Sequence, residues 1–183
     1  MPLKKYNVIQ ELEDFKINEF SNIKFQELPY VKKINLQGDP NNNNFIVSCG
    51  KILNTLLPTD PNTFTSYEQI KIIWLGPNEW LITDESKNNI NLFIKLHNLL
   101  GDKESSVTDV SENKTVLRVE GKKLFTLLSK FLFLNLEKSF KNQSSVAQTL
   151  FVKVPILIVR IFKDYTEEPK LDLIVNRSHA KYI

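Results

Sequence analysis

Trp74-Leu75-Gly76-Pro77-Asn78-Glu79-Trp80-Leu81-Ile82 holds both tryptophans of a 183-residue chain. Lys71 to Leu75 reads as a buried strand, and Trp80 to Thr83 as the strand that returns. Between them Gly76-Pro77-Asn78 has turn chemistry. Glycine tolerates positive φ, proline presets φ near about −65°, and asparagine bonds its own backbone. Two large rings at the base of one tight connection predict a stiff hairpin. Core or interface packing suits both rings better than a ligand platform.

Outward from the hairpin, strands come in adjacent pairs. Upstream, Ile23 to Leu28 alternates, Val31 to Leu36 reads as a second strand, and Gly38-Asp39-Pro40 turns the chain. Phe45, Ile46, Cys49, Ile52, Leu53 and Leu56 then fall at helical spacing. Pro58 and Pro61 cannot continue that helix. Downstream, Thr83 to Ser86 offers oxygen-bearing caps for a helix through Leu100, with Gly101 as its stop. Strands follow at 106–111 and 115–120, closed by Gly121. Residues 122–133 read as a helix with Leu124, Phe125, Leu127, Leu128, Phe131 and Leu132 inward. The polar stretch 137–145 reads as a mobile loop. Strands at 146–152, 155–162 and 171–175 precede a helical turn at 177–182.

This order predicts an α+β fold: two small lobes of antiparallel sheet with helices on one face. The lobes are expected at residues 21–105 and 106–183, after an amphipathic arm at 1–20. A chain this long buries about 70% of its extended surface, so no metal or disulfide is needed to hold it.

Composition excludes several classes. The five glycines form neither a phosphate loop nor a dinucleotide fingerprint. Net charge is +3, from 24 basic and 21 acidic residues, and reads as a mild excess spread along the chain. Nucleic-acid and membrane binding call for a clustered basic face instead. The single cysteine, Cys49, forms no internal disulfide and suits a reducing compartment. No apolar run approaches the ~20 residues of a membrane span, and Met1 to Tyr6 lacks a signal-peptide core. The cytoplasm is the expected location.

Catalytic groupings are sparse. Cys49 lies on an apolar stripe and reads as a small core hydrophobe. His97 and His179 are the only histidines, which leaves no zinc-site spacing. His97 reads as packed or partly exposed. Asp109 lies in a strand beside Ser111, where a carboxylate bonds the N–H groups of the following turn more readily than it serves as a base. Arg118 and Arg160, also in strands, are candidates to pair with such acids. The residues alone describe a binding or assembly module, with no catalysis expected of the isolated chain.

Seven stretches in order also resemble a known family, the gamma subunit of heterotetrameric sarcosine oxidase. Leu36-Gln37-Gly38-Asp39-Pro40 is similar to its "LRGDP", and Leu57-Pro58 follows as in the family. Trp74 to Leu81 resembles "LGPDEWL", with Asn78 in the aspartate position. Val107-Thr108-Asp109-Val110-Ser111 resembles "VVDVS". Leu117 to Gly121 and Ala147-Gln148-Thr149 through Arg160 also match. Val175 to Tyr182 resembles "VxRSFAxYL", with His179 in place of phenylalanine.

The resemblance implies a fold like the folate-binding domain of the glycine-cleavage aminomethyltransferase. It implies a complex that oxidises sarcosine to glycine, reduces oxygen to peroxide and passes the one-carbon unit to tetrahydrofolate. Partners would be alpha, beta and delta subunits, with flavins on beta and the NAD and folate sites on alpha. This chain would carry no cofactor or metal and would serve assembly and stability. Trp74, Gly76, Pro77, Glu79, Trp80, Asp109, Ser111, Arg177 and Ser178 are its structural or interface candidates. A free-standing folate or one-carbon binding protein of the same fold is the alternative. A nucleic-acid binder is a third reading, since a related fold occurs in a tRNA-modification enzyme.

Overall fold

The computed structural model describes residues 23–28, 31–86, 92–100, 105–164 and 166–183. The arm expected at 1–20 and the helix stop at Gly101 lie outside these residues. Ten strands, four α-helices and one 3-10 turn are described, and they form two compact units.

The hairpin belongs to a five-stranded antiparallel sheet. Its strands are β2 (Lys32–Gln37), β3 (Phe64–Tyr67), β4 (Ile70–Gly76), β5 (Glu79–Asp84) and β6 (Ser106–Asp109), in the order β3-β4-β5-β2-β6. Helices α1 (Asn43–Leu53) and α2 (Leu92–Leu100) belong to the same unit. Strand periodicity sends Ile34, Leu36, Ile72, Trp80 and Ile82 to one face, where they join Phe45, Cys49, Leu53, Leu92, Leu96 and Leu100 in one core. Ile73 and Leu81 oppose each other in register on the other face, so this sheet is apolar on both sides.

The second unit repeats the design. Strands β1 (Lys24–Glu27), β7 (Lys114–Glu120), β8 (Val146–Phe151), β9 (Val154–Arg160) and β10 (Lys170–Asn176) order as β1-β7-β10-β9-β8. The short helices α3 (Leu124–Leu128) and α4 (Leu136–Ser139) bring Leu124, Leu128 and Leu136 onto Leu117, Val119, Ile158 and Leu173. Gly121 ends β7 at φ 145, a backbone region that glycine alone enters without strain.

The expected α+β class with antiparallel sheets is what the structure shows, but the lobe boundaries need correction. β1 pairs with β7, and β6 pairs with β2. One strand from each expected half therefore sits in the other unit's sheet. Hydrogen-bond ladders, not chain order, decide membership. Residues 144–146 also join the hairpin unit: Phe64 N donates to Ser144 O at 3.0 Å, and Val146 N donates to Asn62 O at 2.9 Å.

Local expectations fail in four places. Thr83 and Asp84 do not open a helix; β5 is paired on both flanks out to Asp84, and that pairing overrides capping chemistry. β3 was not foreseen, because a polar edge strand pairs on one side and has little apolar alternation. The helix expected over 122–133 ends at Leu128. Beyond it, the N–H of Phe131 bonds the Leu128 carbonyl in a tight turn, and Leu132 bridges Phe151 as a strand would. Phe131 therefore points outward rather than inward. The stretch expected as a mobile loop overlaps α4, capped by the Asn135 side chain on Lys138 N at 3.0 Å.

Arg160, a candidate to pair with an acid, clamps backbone carbonyls. Its guanidinium donates to the carbonyls of Phe140 (2.7 Å), Lys141, Phe162 and Lys163 (2.9 Å each), and lies 4.0 Å over the Phe162 ring. A rigid five-donor fork suits several fixed carbonyls. Arg160→Met leaves those carbonyls without their donor and is expected to destabilise by about 3–5 kcal/mol. The urea midpoint should fall with unchanged slope. Arg160→Lys should recover less than half of the loss.

Candidate interaction site

The hairpin does what its residues suggest. Trp74 and Trp80 are direct cross-strand partners. Trp80 is fully buried, and its Nε1 donates to the Pro58 carbonyl at 2.8 Å, so the ring's polar atom is satisfied inside the core. Its ring centroid lies 5.9 Å from that of Phe45 on α1. Trp74 is half-buried on β4. The register shifts between Trp74 and Gly76. A Cβ on Gly76 would sit 3.9 Å from Glu79 Cβ, an ordinary contact, so space does not demand glycine there. Pro77 and Asn78 are exposed at the turn, and Asn78 O accepts from Gly38 N at 3.1 Å. Glu79 accepts from Asn35 Nδ2 at 2.7 Å.

Gly38 is the glycine that space does demand. A Cβ there would lie 2.4 Å from the Phe45 ring, well inside van der Waals contact. Asp39 accepts from Asn41 N at 2.9 Å, and Asn42 caps α1 through Asn44 N and Phe45 N. Gly38, Asp39 and Pro40, with Gln37, Asn78, Ser105 and Ser106, line an open cleft of about 500 Å³ at this end of the sheet.

Asp109 and Ser111 sit at the opposite end of β2. Asp109 Oδ1 accepts from Ser111 Oγ at 2.6 Å and Ser111 N at 3.0 Å, and Oδ2 pairs with Lys32 Nζ. Ser111 Oγ also accepts from Lys33 N at 3.0 Å. Burial alone would push the Asp109 carboxyl up, but the bonds from Lys32 and Ser111 together hold it below the ordinary range. The expected bond to the following turn is present.

In the second unit, Arg177 opens the 3-10 turn (Arg177–His179), and its N–H donates to Asn113 O at 2.8 Å. Ser178 is exposed. His179 is half-buried, with Nδ1 buried and unbonded. Arg118 and Asp172 form a two-point ion pair (2.7 and 2.9 Å) across β7 and β10, as sequence suggested for Arg118.

The candidate residues thus do not converge. In the hairpin unit they divide between two ends of one sheet, and each is bound into the fold. Cys49 is fully buried, and burial pushes its thiol up to about 12, so it remains protonated at neutral pH. His97 is exposed, 5.6 Å from the Phe93 ring. Among the described residues no group of three His, Cys, Asp or Glu side chains is placed to hold a metal, and no helix is long and apolar enough to cross a membrane.

One feature of the charge was missed. From Gly121 to Lys153 the chain has six lysines and a single acid, Glu137. That local excess is greater than the +3 of the whole chain, so the charge is not evenly spread.

A family model described as sarcosine oxidase, gamma subunit, matches residues 37–183. Sarcosine oxidase subunit gamma of Corynebacterium sp. (strain U-96) is 30% identical over 89 residues, 49% of this chain and 42% of that protein. The match to the first relative thus spans under half of its length. The counterpart from strain P-1 is 24% identical over 139 residues, 75% of this chain and 67% of that protein. Among solved structures, the heterotetrameric sarcosine oxidase of Corynebacterium sp. U-96, in complex with pyrrole 2-carboxylate, gives a TM-score of 0.76 at 22% identity. It covers 87% of this chain and 78% of the matched one. Glycine cleavage system aminomethyltransferase T from Bartonella henselae gives 0.61 at 14% identity, covering 88% and 44%. The likeness extends to the fold expected from sequence.

Two measurements test the site. Gly38→Ala should cost about 1–3 kcal/mol and change the tryptophan emission, because Phe45 must yield against Trp80. For Asp109, a lowered carboxyl contributes stability that is present above its unfolded pKa of about 3.9 and is lost as pH falls through the lower folded value. Wild type should therefore lose more stability than Asp109→Asn between about pH 5 and pH 3. Solvent screening at this partly exposed pair keeps the difference under about 1 kcal/mol.

Proposed function

This chain belongs to the sarcosine oxidase gamma subunit family, and we propose that it is an accessory, non-redox subunit of a heterotetrameric sarcosine oxidase-like complex. The match over residues 37–183 carries this reading. The geometry supports it from another side. Trp80, Gly38, Glu79, Asp109 and Ser111 are engaged in packing and hydrogen bonds of the chain itself. Those five motif residues therefore serve the chain's own scaffold. In this reading the complex oxidises sarcosine to glycine in the cytoplasm and delivers the one-carbon unit to tetrahydrofolate. Flavin, NAD and folate sit on the alpha and beta subunits, and with delta they are the partners. The contribution of this chain is assembly and stability.

The test is co-expression of the tagged chain with the alpha, beta and delta subunits of its own source. Larger polypeptides with visible flavin absorbance should co-purify with it, and omission of this chain should lower the thermal midpoint of the remaining complex. Recovery of the tagged chain alone, colourless and monomeric, would overturn the reading.

A further inference from the structure

Leu132 and Phe151 form an antiparallel bridge beside the β8 edge of the second unit's sheet. Both are buried, at 5% and 8% exposure. Across such a bridge the flanking residues oppose each other too: Phe131 faces Val152, and Phe133 faces Leu150. Val152 N donates to Phe131 O at 3.0 Å, which fixes that register. Unlike the bridge pair itself, these four flanking residues are open to solvent. Phe133 is 99% exposed, Leu150 49%, Val152 42% and Phe131 38%. The bridge is therefore flanked by a square of four exposed apolar residues, of which Phe131 stacks on the Phe151 ring at 5.1 Å.

Two further observations concern the same spot. Val152 opens the two-residue turn between β8 and β9 at φ 58. A hairpin position with positive φ at the first residue ordinarily takes glycine, and a β-branched residue there is strained. The valine is thus retained there at a conformational cost. Second, exposed Lys130 and Lys153 flank it in sequence, one beside Phe131 and the other beside Val152. Elsewhere in this unit Lys24, Arg118, Lys122 and Lys170 are engaged in ion pairs.

We propose that this square is the docking surface for an apolar patch rimmed with Asp and Glu on another subunit of the complex. The proposal rests on the subunit reading above and locates its contact face. An exposed aromatic in an apolar centre is the usual anchor of a protein interface, and the lysine rim selects an acidic counterpart. A second copy of this chain would bring the same lysines face to face, and like charges disfavour that pairing.

The tagged chain, co-expressed with its alpha, beta and delta subunits, provides the assay. Phe133→Asp should weaken capture at least about tenfold while the urea midpoint stays unchanged, since the side chain is fully exposed. Lys130→Glu with Lys153→Glu should weaken it about three- to tenfold, and more at low salt. Val152→Gly should raise the thermal midpoint by about 2–4 °C and yet weaken capture. Equal capture of wild type and all three variants would overturn the docking surface and leave the subunit reading intact. No capture of wild type would overturn both. Phosphatidylserine vesicles supply the remaining arm. Wild type sedimenting with vesicles and Phe133→Asp failing to, with subunit capture unchanged, would assign the patch to lipid and overturn the proposal.

Discussion

The burial of Trp80 fixes the geometry of the hairpin unit. Its ring fills the core between α1 and the sheet, next to Phe45, and its one polar atom reaches the Pro58 carbonyl. That bond ties the segment after α1 to the central strand. Phe45 in turn lies so near Gly38 that any side chain there would displace its ring, which sets how closely the β2–α1 turn approaches the helix. Sheet, helix and two loops are thus located against one side chain. Large aromatic groups act this way because they bury much area with few rotatable bonds.

The second unit achieves the same fixing with charge. Arg160 gathers four carbonyls from two segments, so loops that follow α4 and β9 are held by one guanidinium. Arg118 and Asp172 join neighbouring strands on the sheet face opposite the helices. Partial burial raises the cost of either charge alone, so the pair specifies register more firmly than it adds net stability.

Much of this was legible in the sequence. The hairpin, the paired strands and the apolar faces followed from turn residues and from periods of 2 and 3.6. The Asp109–Ser111 turn was legible because its bonds span two residues. What sequence could not supply was non-local. The exchange of β1 and β6 between units depends on ladders formed across 69 to 96 residues, which no local pattern encodes. The early end of α3 has a related cause: Leu124 to Leu132 keeps an apolar helical pattern, and only the bridge to Phe151 decides against it. The lysine-rich stretch was countable from the start, but its meaning depended on knowing which phenylalanines face outward.

That last point bears on what the fold is for. A chain whose Trp80, Gly38, Asp109 and Ser111 are taken up by its own packing and hydrogen bonds has other parts of its surface available for contacts. Exposed apolar groups alone say little, since every protein has them. Phe133 and Val152 differ because local rules argue against both: a fully exposed phenylalanine gains nothing from folding, and a valine at φ 58 opposes it. A sequence that accepts both at one bridge, beside the exposed Lys130 and Lys153, departs from local consistency there. Such departures are where function is found when the rest of a chain agrees with its fold.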